Sequence, residues 1–408
     1  MKFSVSCGDF VRHLSPLSRL IARHPMIPVL EYFFCEVGSQ TGGMHVAATN
    51  LDATMRTVMP VVPQLLPSTP RTFLLPARRA LDALRTFPPQ ATATLSITDE
   101  GHLILQCERT RFRLFSASPE SFPTLPDPPG GMMSIQSSHW QEAIQQTMYA
   151  VGDEATRYQL AGTKLILEFP PEVPLPEDGR EPETVTGRFT LVGTDGHRLA
   201  VTEQNGTLTI PYPIWKEWKA EGQFRFSAII PRKTLADLDV LLESHPSQPI
   251  RIGFTNELNF FEVGPYQLYT RNLAGLYPNY EPIVANRPPH EVILDTAGTM
   301  QMIRRVSILA DELTSLVTLS LSPELLTAQT TSPTLGEASE SILSDYQGET
   351  LTIGLNGRYL LETLRAIPTS RFRFCFSSPT EAVWFLPCPD QEKTLTTDSR
   401  HVIMPMHV

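Results

Sequence analysis

Leu191-Val-Gly-Thr-Asp-Gly-His-Arg-Leu-Ala-Val201 reads as a strand, a tight turn and a second strand. Val192 and Leu199 to Val201 are strand-type residues. Asp195-Gly196 between them is the strongest short hairpin signal, because the turn needs a positive φ that glycine adopts without steric cost. An aspartate, a histidine and an arginine on one turn also invite a catalytic reading, with Asp195 and His197 as an acid/base pair. The local alternative is that Asp195 caps the turn, His197 and Arg198 hydrogen-bond nearby, and Leu199 anchors the strand. No Ser or Cys nucleophile or second acid lies close in sequence, which favours the local reading.

Around this hairpin lies a chain of 408 residues, too long for one ordinary core, so two to three domains are expected. It is 41% hydrophobic and 19% charged, a globular mix, and its formal net charge of -10 argues against gripping nucleic acid over the whole surface. The first residues, Met1-Lys-Phe-Ser-Val-Ser-Cys-Gly-Asp-Phe10, lack the apolar core of a secretory signal, and no apolar run is long enough for a bilayer. The expected compartment is the cytoplasm. Five cysteines, Cys7, Cys35, Cys107, Cys375 and Cys388, show no CxxC spacing and read as buried thiols. Ten scattered histidines offer no ligand pair, so neither metal nor cofactor is expected.

Helical and strand patterns then recur in one order. Phe10, Leu14, Leu17 and Ile21 form the stripe of a first helix over Phe10–Arg23, with Pro16 predicting a kink or split. Strand-type runs follow at 29–37, 43–49 and 54–62. Leu75–Phe87 is a second amphipathic helix opened by Pro76, and strands resume at 93–97, 102–107 and 112–115. The order returns with a helix around Trp140 and Ile144, strands near 165–169, 189–192 and 199–202, and a helix over Ile230–Leu242. A third pass has helices at Met300–Leu309 and Gly354–Ile367. Arg78, Arg232 and Arg358 align, followed by Leu81, Leu235 and Leu361, then Leu84, Leu238 and Leu364, then Phe87, Leu241 and Ile367. Shared helix positions in a shared order of elements predict three tandem, similar α+β domains. Pro126-Asp-Pro-Pro-Gly-Gly131 and Ala285-Asn-Arg-Pro-Pro-His290 mark the boundaries, giving domains at 1–128, 129–287 and 288–408. Residues 170–187 and 332–348 read as solvated hairpin excursions.

Basic residues sit off the leucine stripes: Arg78, Arg79, Arg232, Lys233, Arg358 and Arg365 on the second helices, and Arg19, Arg23, Arg304 and Arg305 on the first. Arg157 precedes a strand. A single such arginine is usually a solvated face. Repeated in every domain around a pseudo-symmetric axis, they would meet phosphates without reading bases.

Asp153-Glu154 with Arg157, Thr194-Asp-Gly-His-Arg-Leu-Ala200, Pro231-Arg232-Lys233, Tyr277-Pro278-Asn279-Tyr280 and Val402-Ile-Met-Pro-Met406 together resemble the bacterial replicative sliding clamp family, the beta subunit of DNA polymerase III. The resemblance spans essentially the whole chain. It implies the DNA clamp fold, in which a head-to-tail homodimer forms a ring of six similar domains with helices lining the interior and sheets outside. The ring would encircle double-stranded DNA topologically and without sequence preference, as a processivity factor with no catalysis of its own. It would tether the DNA polymerase III alpha subunit, the clamp loader and other proteins carrying a clamp-binding motif. The partner-peptide groove carries over to Leu160, Thr194, Gly196, His197, Arg198, Leu199, Pro278, Ile283, Val402, Met404, Pro405 and Met406. Leucine, isoleucine, valine and methionine suit an adaptable apolar slot. For the dimer, Phe112 and Leu114 on an edge strand, with Ala83 and Phe87, are expected to face Ile308 and Leu309 of a second copy.

Glu281-Pro282 stands where members usually carry two basic residues, His407 replaces a usual arginine, and Leu313-Thr314 lacks a basic residue commonly offered to DNA. Two other readings remain at this point: a diverged clamp paralogue that no longer encircles DNA, and an Asp/His hydrolase built on Asp195 and His197.

Overall fold

Strands run straight into helices in this chain, and a polar side chain at each crossing often closes the first turn. In the computed structural model, which describes residues 1–38, 42–65, 71–98, 102–152, 157–173, 181–255, 257–389 and 397–407, eight α-helices appear among the described residues. They are α1 (Cys7–Ser18), α2 (Ala77–Arg85), α3 (Ser137–Thr147), α4 (Tyr212–Ala220), α5 (Arg232–Ser244), α6 (Glu281–Ala285), α7 (Thr296–Val306) and α8 (Gly357–Ala366). Seven of these, all but α6, begin at the residue directly after a strand. Ser6 Oγ accepts from Asp9 N at 3.3 Å, Asp295 Oδ1 from Gly298 N at 2.6 Å, and Asn356 Oδ1 from Arg358 N at 3.0 Å. Each satisfies an amide that the helix itself cannot.

The chain divides into two compact units, Met1–Ser137 with Ala236–Asn272, and Ser138–Leu235 with Leu273–Val408. In the first, five strands run in the order Val62–Leu65, Lys2–Ser6, Thr92–Ile97, Leu103–Cys107, Thr110–Leu114. The Tyr32–Val37 strand pairs with Arg71–Pro76 and Met44–Thr49, and Ala53–Met59 links Met44–Thr49 to Tyr266–Arg271. Phe10, Leu14, Leu17 and Ile21 are all buried, as their spacing predicts, and α1 packs on α2. The helix continues two residues past Pro16 instead of splitting there; it begins at Cys7 because Ser6 caps it, and ends at Ser18.

In the second unit, the strands Gly162–Glu168, Thr184–Thr194, Arg198–Pro211 and Thr397–Ile403 pair in that order, all antiparallel, with a bulge in the long hairpin between Gly187 and Arg188. Four further strands, ordered Gly336–Leu343, Leu325–Ser332, Leu316–Ser322 and Leu351–Asn356, carry α7 and α8, which pack together over Val317, Leu319, Leu355, Leu360 and Leu364. The 332–348 stretch is thus half strand: Gly336–Leu343 pairs along its length with Leu325–Ser332 and forms a sheet edge. Of 170–187, residues 174–180 lie outside the described residues, as do Asp153, Glu154 and Val408.

No periodic stripe marks α4 in the sequence, because the prolines at 211 and 213 disguise it. Pro211 stands at its N-cap and Pro213 in its first turn, where a missing amide costs nothing. No helix among the described residues is long and apolar enough to cross a membrane. The fold class is α+β, as expected.

Candidate binding groove and basic surface

Thr194 Oγ1 donates to Arg198 O at 2.6 Å and accepts from Gly196 N at 3.1 Å. Asp195 Oδ1 accepts from the amides of His197 and Arg198 at 2.9 and 3.0 Å. Gly196 holds φ at +93°, where a side chain would be strained. The local reading of the turn is therefore the observed one. The carboxylate of Asp195 is spent on the turn and on Arg198 Nε, 3.0 Å from Oδ2, while His197 is an exposed rim residue. That leaves no Asp195–His197 acid/base pair.

Arg198 is the support of this region. Only 8% exposed, its guanidinium bonds Asp195 and Glu362 and lies 4.3 Å from the Tyr359 ring centroid and 5.3 Å from that of Tyr149. A planar, always-charged group with two carboxylates at its edge and rings at its faces is well satisfied without water. Burial pushes the Glu362 carboxyl up, but its hydrogen bonds to Arg198 and Arg358 and their charges outweigh this and hold it below the usual range. Tyr149 continues the chain of contacts: its hydroxyl sits 2.9 Å from His401 Nδ1 and accepts from Thr363 Oγ1 at 3.3 Å. Burial lowers His401 to about 4, so the ring is neutral at pH 7.

His401 lies on the Thr397–Ile403 strand, which places Val402 opposite Leu199 and Ile403 opposite Arg198. Past it, Met404 N donates to His197 O at 2.9 Å and Met406 N to Gly354 O at 2.8 Å. These bonds hold the tail in place against the hairpin. Leu199 and Val402 join Ile166, Val192, Val201, Tyr280 and Trp384 in one apolar cluster. Tyr277 anchors the third wall through its hydroxyl, which donates to Val192 O at 2.8 Å.

The outcome is a cavity of about 270 Å³ bounded by Leu160, Thr194, Gly196, His197, Arg198, Leu199, Pro278, Ile283, Val402 and Met404, together with Arg157, Asn279 and Tyr280. Its floor is the buried cluster, and its open rim is Ile283, 42% exposed, and Met404, 44% exposed. Of the twelve groove residues expected from the sequence, Pro405 and Met406 stand outside the cavity, because the Met406 amide turns to Gly354. Arg198 touches the cavity from below as a structural support. Tyr149, Tyr359 and Glu362, which fix it, carry no local sequence signal, since each acts across a long chain separation. A wider polar cavity of about 800 Å³ shares the Arg157 to Arg198 wall and adds Arg232, Arg358, Tyr359 and Glu362.

All eleven basic residues expected to face phosphates are exposed. Among the described residues, Arg19 Nε meets Asp237 at 2.5 Å, Arg305 Nε meets Glu340 at 2.7 Å, and Arg358 Nε meets Glu362 at 3.2 Å. Arg78 Nη2 donates to Ile21 O at 2.9 Å. Arg23, Arg79 and Arg304 have no carboxylate partner among the described residues. Phe112, Ala83 and Phe87 are half-buried, Leu114 is buried on the edge strand, Leu309 is half-buried and Ile308 is 73% exposed. Glu281 opens α6 and reaches Arg225 at 3.7 Å, so it has its own counter-charge.

Sequence families matching the chain are the DNA polymerase III beta subunit, N-terminal domain, over residues 1–126, and the DNA polymerase III beta subunit, C-terminal domain, over 286–407; together they span more than half of it. A beta sliding clamp of Pseudomonas putida is 25% identical over 409 residues, and one of Caulobacter vibrioides 26% over 416, each alignment covering all of both chains. Among solved structures, a DNA polymerase sliding clamp from Pseudomonas aeruginosa superposes with a TM-score of 0.82 at 24% identity, and one from Caulobacter crescentus does the same, again over both full chains. A sliding clamp from Pseudomonas aeruginosa bound to griselimycin gives 0.83 at 24%.

Proposed function

We propose that this chain, which belongs to the DNA polymerase III beta subunit family, the beta sliding clamps, closes head-to-tail with a second copy into a ring around duplex DNA and tethers other proteins through the groove. The protein is a non-catalytic subunit, and its work is to hold partners on DNA. Each chain supplies three domains, 1–128, 129–287 and 288–408, and acts in the cytoplasm.

The observation that carries the tethering role is the convergence of three distant segments on one apolar cavity. The Thr194–Leu199 turn, the Pro278–Ile283 segment and the Val402–Met404 tail meet there. Such a slot takes apolar anchors of a short peptide, and a polymerase alpha subunit, a clamp loader or another partner can each present one. Methionine at the rim lets one slot accept several sequences.

Ring closure has support in two open strand edges. Thr110–Leu114 ends its sheet and carries Arg111 and Arg113; Gly336–Leu343 ends another and carries Glu337 and Glu340. An unpaired edge is a template for a strand from another chain, and opposite charges select this pairing over self-pairing of either edge. Two unlike edges joined head-to-tail close a ring when the rotation permits. Inside it, Arg23, Arg79, Lys233, Arg304 and Arg365 would touch phosphates weakly, while topology keeps an acidic protein on DNA.

Fluorescence polarisation with a short peptide of the Gln-Leu-Phe type tests the groove. The full chain should bind it, and removal of Met404–Val408 should abolish binding while circular dichroism shows an intact fold. Equal affinity in both would overturn the assignment.

A further inference from the structure

Two of the five cysteines stand together. Cys7 Sγ and Cys107 Sγ lie 3.8 Å apart, and both residues are 1% exposed. The other three, Cys35, Cys375 and Cys388, have no sulfur neighbour among the described residues. We propose that Cys7 and Cys107 form an oxidation-sensitive pair that closes to an intrachain disulfide when the protein meets a peroxide.

The geometry favours this pairing over any other. A disulfide needs its sulfurs about 2.05 Å apart, so less than 2 Å of approach separates the pair from a bond. Both backbones are held near that position. Cys7 N donates to Ala91 O at 2.9 Å, and Gly8 lies so close to Pro89 that an added Cβ would fall 2.9 Å from its Cβ. Cys107 stands opposite Ala93 on one side and Thr110 on the other. The approach therefore falls to the side chains, by rotation about the Cα–Cβ bonds with a small adjustment of the strand end.

Chemistry sets when it happens. One thiolate attacks the peroxide, forming an S–O bond as the O–O bond breaks; it becomes a sulfenic acid and releases water after protonation. The second thiolate then displaces hydroxide from that sulfur to make the S–S bond, and the hydroxide leaves as a second water. Two thiols lose two electrons and two protons in all, and the peroxide is reduced to two waters. Burial, then the contact with Cys107, pushes the Cys7 thiol up to about 11, so the resting Cys7 is a poor nucleophile. Attack waits for local opening, and Cys107 closes the strand that leads through Glu108 and Arg109 into the edge strand Thr110–Leu114. Edges of this kind open at low cost. Once formed, the bond would fasten α1 to the hairpin that bears the proposed subunit contact.

The full-length protein, treated with hydrogen peroxide and then unfolded in a thiol-alkylating reagent, tests this by peptide mapping. The expected product is a Cys7–Cys107 linked peptide, two hydrogens lighter than its parts, with Cys35, Cys375 and Cys388 alkylated. In Cys107→Ser, checked for folding by circular dichroism, Cys7 should no longer enter an intrachain disulfide. The wild-type map stands by itself if that variant folds poorly. Five alkylated cysteines, or single cysteines oxidised to sulfinic acid without a Cys7–Cys107 link, would overturn the proposal.

Discussion

Leu199 lies directly opposite Val402 across two antiparallel strands, one running out of the Asp195-Gly196 turn and the other from the far end of the chain. This register brings residues two hundred positions apart into one apolar floor, and it explains why the groove needs the tail to exist. Met404, the next residue to reach the cavity, is fixed by its amide bond to His197 O.

Met404 should therefore matter more than the histidine beside it. Met404 offers a half-exposed apolar side chain to a ligand, so Met404→Ala is expected to weaken a bound peptide by about 1–2 kcal/mol with the melting temperature unchanged. His197→Ala, at an exposed rim, should change affinity less than about threefold, or under ~0.7 kcal/mol. Fluorescence polarisation of the two variants side by side ranks them, and a larger loss in His197→Ala would contradict the geometry.

Arg198 is held in a buried pocket of charge, and its loss strands Asp195 and Glu362. Arg198→Met is expected to destabilise the protein by about 3 kcal/mol, since removing one partner leaves the others uncompensated. Glu362→Gln should cost less, because Asp195 and both rings still hold the guanidinium. Thermal melts of the two variants and of the double variant check this; strictly additive shifts would show that the two residues are not coupled.

His401 gives a pH dependence with a definite sign. Its folded-state value of about 4 lies below the ordinary 6.5, so the unfolded chain binds more protons between those limits. Stability should fall as pH drops through that window, by roughly 3 kcal/mol in all, and be fully present above pH 6.5. Glu362, held below the usual carboxylate range, adds a loss at still lower pH. Melting temperatures from pH 7 to 4 should slope less in His401→Gln than in wild type. Identical slopes would show that His401 does not set this pH dependence.

Much of this architecture is legible in the residues. The Asp195-Gly196 turn, the α1 stripe and the three recurring second helices all come from periodicity and turn chemistry that local sequence dictates. The groove is different. Its members are named by resemblance to a family motif, and only the tertiary register of Thr397–Ile403 against Arg198–Pro211 brings them together. Arg198 reads as a locally hydrogen-bonded turn and groove residue, with nothing to announce Tyr149, Tyr359 and Glu362 closing over it, and Met406 reads as groove until its amide finds Gly354. Prolines at 211 and 213 hide α4, and Gly206, at φ +71°, lets the Arg198–Pro211 strand run far beyond the 199–202 that its apolar core suggests.

Subunit contact should respond to exposed residues that the fold does not need. Ile308 is 73% exposed, so Ile308→Lys should leave the monomer fold intact and shift a dimer towards monomer. Arg113→Glu on the opposite edge should act alike by placing acid against acid. Sedimentation equilibrium at micromolar concentration reads both, and a wild-type protein that sediments as a monomer would count against the ring.

In the proposed ring, topology holds this acidic protein on DNA. Contacts from the exposed arginines alone would weaken steeply with salt, log K falling by about 0.9 per log unit for each phosphate neutralised. The direct measurement is retention on covalently closed circular DNA at high salt, after loading, before and after a single cut that makes the circle linear. A ring should stay on the closed circle through salt that strips a simple binder, and should leave from the free ends once the circle is cut. Equal, rapid loss from both forms of the DNA would show that the chain does not encircle it.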